Sequence, residues 1–386
     1  MKKQSIGALT GIRFLAAVHV MIFHMAQLTI VTLPDGLSDF FGAGYVGVSM
    51  FFVLSGFILA YNYVGENGTL TVTRTDFYIA RASRIAPVYV VCMIFGLPVF
   101  VSDMMLLAHN LSTVALYVFA AVGMSGTLMQ AWVPYPTFYV NAPGWSLSNE
   151  AFFYLLFPGI IFFLRQRSIR ALTGIAAIAW LSAMILPVLY TIVNAGGQAS
   201  INHLTESVSL AVLKYNPLLR LPEFIMGAVT GSIFVRVGPW ERRTSGILTV
   251  ASLIIVTGML AVSTKLPYII IHDGLLAPVY ALFIYALAGD RSVIASFLSS
   301  RTMVLLGEAS FALYLFHLPF ARYMHRLGVL MGVDADSLFY VIPVGIAAVL
   351  CSILLLKFVE EPGRIALRNR LKKMVPVHFS PTAAES

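Results

Sequence analysis

Arg13 and His24 stand eleven residues apart on a segment that is otherwise almost wholly apolar. On a helix that separation is three turns plus about 20°, so both side chains share one face, about 16 Å apart along the axis. An imidazole titrates near neutrality and is the natural proton acceptor for a hydroxyl. A permanently charged guanidinium at the mouth of the same face suits an anionic or carbonyl-bearing substrate. The residues alone leave a plainer account open, in which His24 hydrogen-bonds a neighbouring helix and Arg13 reaches for lipid head groups. His19 points elsewhere, about 140° around the helix from His24, and reads as structural.

Four further groups carry possible chemistry. Arg81 and Arg84 (Arg-Ala-Ser-Arg) lie at i, i+3 on one side of an expected helix start, a favourable arrangement for phosphate, with anchoring at the membrane surface as the alternative. Trp145, Ser146, Ser148 and Glu150 open another apolar segment. The serines read as helix N-caps and Glu150 as a first-turn carboxylate favoured by the helix dipole; neither idea explains the tryptophan or a carboxylate entering lipid. Ser310, Tyr314 and His317, at i, i+4 and i+7, form one polar stripe that lines a cavity or joins helices. Glu223 has Arg220 as its expected salt partner at i, i+3.

The elements that hold these groups follow from composition. The 386 residues are 59% hydrophobic and only 11% charged, and mean hydropathy is +0.86. This excludes a soluble globular enzyme, a disordered chain and a disulfide scaffold, and leaves an all-α polytopic membrane bundle. The net charge of +8 resides in short basic clusters between apolar runs, which fits membrane-flanking loops and anionic lipid heads rather than nucleic acid. Cys92 and Cys351 lie within apolar runs and read as packing residues. The start at Met1-Lys2-Lys3 resembles a signal peptide, but the run beyond it is long and polar-studded, so it is expected to stay as the first span.

Runs near 10–32, 44–63, 85–107, 112–133, 147–164, 171–193, 217–235, 246–264, 268–288, 303–320 and 338–358 make eleven candidates. With every basic cluster on one side, each interval holds an even number of crossings except 85–164, which holds three. One of those three is therefore expected to be re-entrant or interfacial, near Gly96, Pro98, Gly123 or Gly126. Ten crossings result, with both termini cytoplasmic, loops 134–146 and 194–216 outside, a transmembrane domain over 1–358 and a basic tail over 359–386. No P-loop, Gly-x-Ser-x-Gly, His-Glu-x-x-His or paired Cys/His spacing occurs, so neither ATP-driven chemistry nor a metal site is expected.

These features together resemble the membrane-bound acyltransferase-3 family over nearly the whole length. The resemblance rests on Leu-Thr-Gly-Ile-Arg13 with His24, on Val46 to Phe57, on Arg81-x-x-Arg84 and on Trp145-Ser-Leu-x-x-Glu150. It continues with Arg220-x-x-Glu223-Phe-x-x-Gly227, Ser310-x-x-x-Tyr314-x-x-His317 and Glu361-Pro362. The order of the set carries more than any member.

The resemblance implies a bacterial inner-membrane enzyme with no permanently bound cofactor. It would take an acyl group from cytoplasmic acyl-CoA, acetyl-CoA by the family's habit, to a hydroxyl of an outer-side or lipid-linked carbohydrate. His24 would be the essential histidine, Arg13 its partner, and Arg81 and Arg84 the basic pair, to which contact with CoA phosphates is ascribed. Trp145, Ser146, Glu150, Glu223, Ser310, Tyr314 and His317 would bind or support substrate. Membrane lipids are expected neighbours and a homo-oligomer is compatible. No hydrolase-like domain follows the tail in this sequence, so acceptor handling is expected from the membrane core or another protein. Direct transfer and an acyl-histidine intermediate both stay open. The rival class is a saccharide transporter with a His/Arg/Glu relay, for which two related halves would be the hallmark.

Overall fold

A computed structural model describes residues 6–27, 34–107, 110–135, 139–196, 201, 202, 205 and 207–374. Lys2, Lys3 and residues 375–386 of the expected tail lie outside the described residues, as do parts of the two loops expected outside. Among the described residues regular structure is helical: α1 (Gly7–Ala26), α2 (Asp35–Gly42), α3 (Gly47–Tyr63), α4 (Arg74–Leu107), α5 (Leu111–Gly126), α6 (Trp145–Leu164), α7 (Ile169–Val193), α8 (Val208–Tyr215) and α9 (Pro217–Val237). Then come α10 (Arg242–Ala261), α11 (Tyr268–His272), α12 (Ala277–Gly289), α13 (Val293–Leu298), α14 (Arg301–Leu330), α15 (Leu338–Leu355) and α16 (Glu361–Met374). Among the described residues ten helical segments are long and apolar enough to cross a membrane.

The odd segment in 85–164 is the 112–133 run. Its helix α5 holds 16 residues, a rise of about 24 Å against a hydrocarbon thickness of about 30 Å. Thr127 bonds back to Gly123 at its end, and Leu128 then takes a left-handed φ of 57°. Gly96 and Pro98, by contrast, break nothing: α4 runs through them for 34 residues. Helix starts follow local chemistry. The side chains of Asn110, Ser168, Ser207 and Ser300 each accept an N–H of the first turn, and Asn216 does so ahead of Pro217 at the first helical position. The Trp145 helix departs from expectation. A 3₁₀ turn over Ala142–Gly144 feeds it, so Ser146 and Ser148 sit inside α6 rather than capping it. Their hydroxyls bond the carbonyls of Pro143 and Leu128, and Glu150 falls in the second turn.

Packing is set by small residues and an aromatic core. A Cβ on Gly227 would stand 1.9 Å from the Val53 carbonyl oxygen, and one on Gly307 1.9 Å from that of Thr10. Only glycine lets α9 meet α3, and α14 meet α1, so closely. Phe52, Phe153 and Phe224 join α3, α6 and α9 in the main core. Around it α7, α10 and α15 turn Ile178, Leu181, Ile254, Ile346 and Leu350 outward, surfaces that only lipid would cover.

Loops collect at two ends. At one, Arg236 donates to the carbonyls of Leu164, Arg165 and Arg167, Gly68 lies against Arg165, and Gly7 against Ser299. At the other, Ser263 and Thr264 bond Asp39 and Tyr45 packs on Tyr268. The chain past α15 does not separate at residue 359. It continues through a π-type turn, Leu356–Glu360, into α16, which lies along α4 through Glu360–Arg84 and Lys372–Asp76 ion pairs.

Candidate active site

Two cavities lie between the helices. The first, about 130 Å³, is walled by α1, α3, α4, α6 and α14 and lined by Arg13, Arg81, Arg84, Ser146, Glu150, Tyr154, Ser310 and Tyr314. Three guanidinium groups face one carboxylate there. Arg81 donates to the Tyr63 hydroxyl at 2.9 Å. Arg84 pairs with the buried Glu360 and lies over the Phe311 ring. Tyr154 donates to Glu150 at 3.0 Å, and Ser310 to the Gly307 carbonyl at 2.7 Å. Arg13 makes no hydrogen bond or ion pair with a described residue. With Glu150 and Glu360 against three guanidinium groups, one positive charge is left over, and such an excess inside a bundle is costly unless an anion completes it. Arg81 and Arg84 come seven and ten residues into α4, so the cavity wall, not a helix N-terminus, positions them.

The second cavity, about 880 Å³, is lined by His24, Tyr45, Tyr139, Asn141, Trp145, Tyr215, Tyr268 and His272, with Asp103, Arg322 and Arg326 farther along α4 and α14. His24 occupies the last turn of α1, so it sits toward the second loop end and not at the middle of the span. The expected face-sharing with Arg13 holds only in part, because the two line different cavities. His24 Nδ1 meets His317 Nε2 at 3.0 Å, and His317 Nδ1 meets the Leu313 carbonyl at 3.0 Å. A carbonyl only accepts, so His317 Nδ1 carries a proton and its Nε2 a lone pair. His24 then donates through Nδ1, which leaves the lone pair of its imidazole on Nε2. His317 itself is fully buried; it bonds His24 and does not line the cavity.

The cavities abut. Val48 and Tyr314 line both, and the adjacent Trp145 and Ser146 divide between them. The stripe Ser310, Tyr314, His317 therefore crosses from the basic cavity, through the partition, to the histidine pair.

Glu223 belongs to neither. It pairs with Arg220 at 3.1 Å and accepts from Ser49 at 2.8 Å, while Arg220 also holds Asp273 at 2.6 Å. This buried network backs His272, whose Nδ1 lies 2.5 Å from Asp273. Glu150 likewise belongs with the arginines and not beside His24. His19 bonds the Phe40 carbonyl at 2.7 Å, a structural role as expected. Sequence reading missed Glu360, His272, Asn141 and the Asp103–Arg322–Arg326 group. An acid within the 85–107 run and the His272-Asp273 pair were ionisable groups in apolar runs, and that alone marked them.

Residues 6–357 match the family model described as an acyltransferase domain, that of the acyltransferase-3 proteins. The chain belongs to the acyltransferase-3 family. Similar proteins include the acyltransferase MdmB of Streptomyces mycarofaciens, 30% identical over 83% of this chain and 80% of its own. The exopolysaccharide production protein ExoZ of Rhizobium meliloti is 26% identical over 82% of this chain and 86% of its own. The O-acetyltransferase OatA of Staphylococcus aureus is 22% identical over 92% of this chain, which spans only 57% of the length of OatA. No solved structure matches. A polytopic membrane acyltransferase thus carries the two cavities, and the histidine pair stands on the far side of the partition from the arginines.

Proposed function

We propose that this acyltransferase moves an acyl group, acetyl foremost, from acyl-CoA in the basic cavity to a hydroxyl of a carbohydrate, free or lipid-linked, in the histidine-lined cavity. The observation that carries the reading is the pair of abutting cavities with different chemistry on the two sides of their shared wall. Guanidinium groups suit the phosphates of CoA, whereas Tyr, Trp and Asn side chains around an imidazole suit a sugar face and its hydroxyls. The names of OatA and ExoZ, an O-acetyltransferase and an exopolysaccharide protein, support the same acceptor class.

In this reading Arg13, Arg81 and Arg84 hold the nucleotide end. The pantetheine arm runs along α3 and past Tyr314 to bring the thioester to His24. His24 Nε2 takes the acceptor proton as the oxygen attacks the carbonyl, the carbon–sulfur bond breaks, and the imidazolium returns the proton to the leaving thiolate. At about 16 Å from His24 along α1, Arg13 serves donor binding and not the oxyanion. Should His24 take the acyl group first, initial-rate kinetics would be ping-pong; direct transfer requires a ternary complex. The basic cavity would face the cytoplasm of a bacterial inner membrane.

The test is transfer of radiolabelled acetyl from acetyl-CoA by purified protein in liposomes supplied with host membrane glycans. Wild type is expected to release CoA and label glycan, and His24→Ala to lose both by about 10²- to 10⁴-fold. A His24→Ala protein with wild-type transfer overturns the assignment, and a wild type that moves sugar across the bilayer without releasing CoA would favour a transporter.

A further inference from the structure

We infer that Arg322 and Arg326 form a subsite for an anionic group, a carboxylate or a phosphate, on the acceptor, which extends the proposed function and rests on it. Arg322 and Arg326 stand one turn apart on α14 and both line the histidine-side cavity. Like charges at i, i+4 repel, so the pair needs a reason. Asp103 on α4 bridges them, accepting Arg322 Nη1 at 2.9 Å on one oxygen and Arg326 Nη2 at 2.5 Å on the other.

A tie between α4 and α14 would need only one of these cations. Asp103 is the single carboxylate among the described lining residues of this cavity, so one guanidinium charge stays uncompensated. Each arginine offers five N–H donors in a planar fork and uses one nitrogen on Asp103; no other acceptor for either exists among the described residues. Their side chains are 42% and 38% exposed, which leaves them reachable from the cavity.

Position fixes the geometry of the ligand. The two residues follow His317 on the same helix by five and nine positions, about 8 and 14 Å along the axis. His317 is in contact with His24. Arg322 and Arg326 are also turned about 140° and 180° around α14 from His317, so an anionic group held by the pair lies at least about that far from the hydroxyl presented to His24. Among the described residues that line this cavity, Arg322 and Arg326 carry the guanidinium groups and the other basic side chains are the imidazoles of His24, His272 and His325, so the arginine pair is the place in the lining best suited to an anion.

The experiment uses membrane vesicles of the host containing the full chain, incubated with radiolabelled acetyl-CoA. The labelled product is expected to bind an anion exchanger; a neutral product overturns the inference while leaving the transfer reaction standing, whereas no labelled product at all overturns the transfer reading and this one with it. Mild acid, which cleaves a sugar–phosphate linkage, separates the two sources: loss of retention marks a phosphate, persistence a carboxylate.

The double variant Arg322→Gln/Arg326→Gln is expected to raise the acceptor concentration for half-maximal transfer by roughly tenfold or more. Asp103→Asn removes the tie but keeps both cations, and is expected to hold or lower that concentration. Equal losses in the double variant and Asp103→Asn, with matching falls in melting temperature, would reduce the group to a structural tie and overturn the subsite.

Discussion

At the scale of single residues, the histidine pair makes the sharpest claim. His317 holds the Leu313 carbonyl and receives His24, so in the proposed reaction its task would be to keep the His24 lone pair on the nitrogen that meets substrate. His317→Ala frees the His24 ring to rotate and change tautomer. The expected result is a fall in kcat of at least about tenfold, because loss of an orienting partner lets the wrong tautomer form. KM for acetyl-CoA should hold, since the proposed site for the donor's phosphates is the other cavity, and His317→Gln, whose amide oxygen can still accept, should recover part of kcat. An unchanged kcat in His317→Ala would reduce the pair to packing. Arg13→Gln is expected to behave in the opposite way, raising KM for acetyl-CoA by roughly tenfold, the worth of a charged hydrogen bond, with kcat little changed. Steady-state kinetics in liposomes with varied acetyl-CoA decides both.

At the scale of elements, the same residues work only because α1 and α14 touch. Their contact is set by Gly307, where a Cβ would meet the Thr10 carbonyl oxygen at 1.9 Å. Backbone cannot yield as a side chain tip does, so Gly307→Ala must push the helices apart. Overpacking of this kind costs about 1–3 kcal/mol, and the expected readouts are a lower thermal inactivation temperature in detergent together with reduced transfer, from a site that contacts neither cavity. Gly174→Ala on α7, with nothing within 4 Å of its Cβ, is the control and should change neither. What was legible in the sequence follows the same division. The spacing of Arg13 and His24, or of Ser310, Tyr314 and His317, lies within one helix, where 3.6 residues per turn suffices. The His24–His317 contact joins residues 293 apart, and no local rule reaches across two helices. The short α5 could be narrowed to an interval by charge parity but not placed, because apolarity over 112–133 reports burial in lipid or protein alike. The start of α6 was misplaced for a local reason: serine is a good cap, yet the turn at Pro143 begins the helix ahead of it.

At the scale of the whole molecule, the distribution of charge predicts which cavity faces which compartment. The loop end near Arg165 and Arg236 also carries Arg74, Arg167, Arg242, Arg243 and the basic helix α16, while the other end holds Lys214, Lys265 and the Arg322–Arg326 pair tied to Asp103. Basic residues stay on the cytoplasmic side during insertion, so the arginine-rich end should face the cytoplasm, where acyl-CoA is made, and the His24 end the exterior. Ten spans bring α16 back beside the start of α4 through Lys372 and Asp76, 3.0 Å apart, so this orientation also sets the side of the C-terminal helix. Single cysteines test it. In a background of Cys92→Ala and Cys351→Ala that retains transfer, Glu66→Cys lies in the exposed turn between α3 and α4, and Lys265→Cys in the exposed turn after α10. An impermeant maleimide added to intact cells is expected to label Lys265→Cys alone, and Glu66→Cys only after the membrane is opened. The reverse pattern would turn the guanidinium cavity away from the CoA pool. The donor would then have to be an exported thioester or ester, and the roles given to Arg13, Arg81 and Arg84 would fall with that orientation while the histidine pair kept its own.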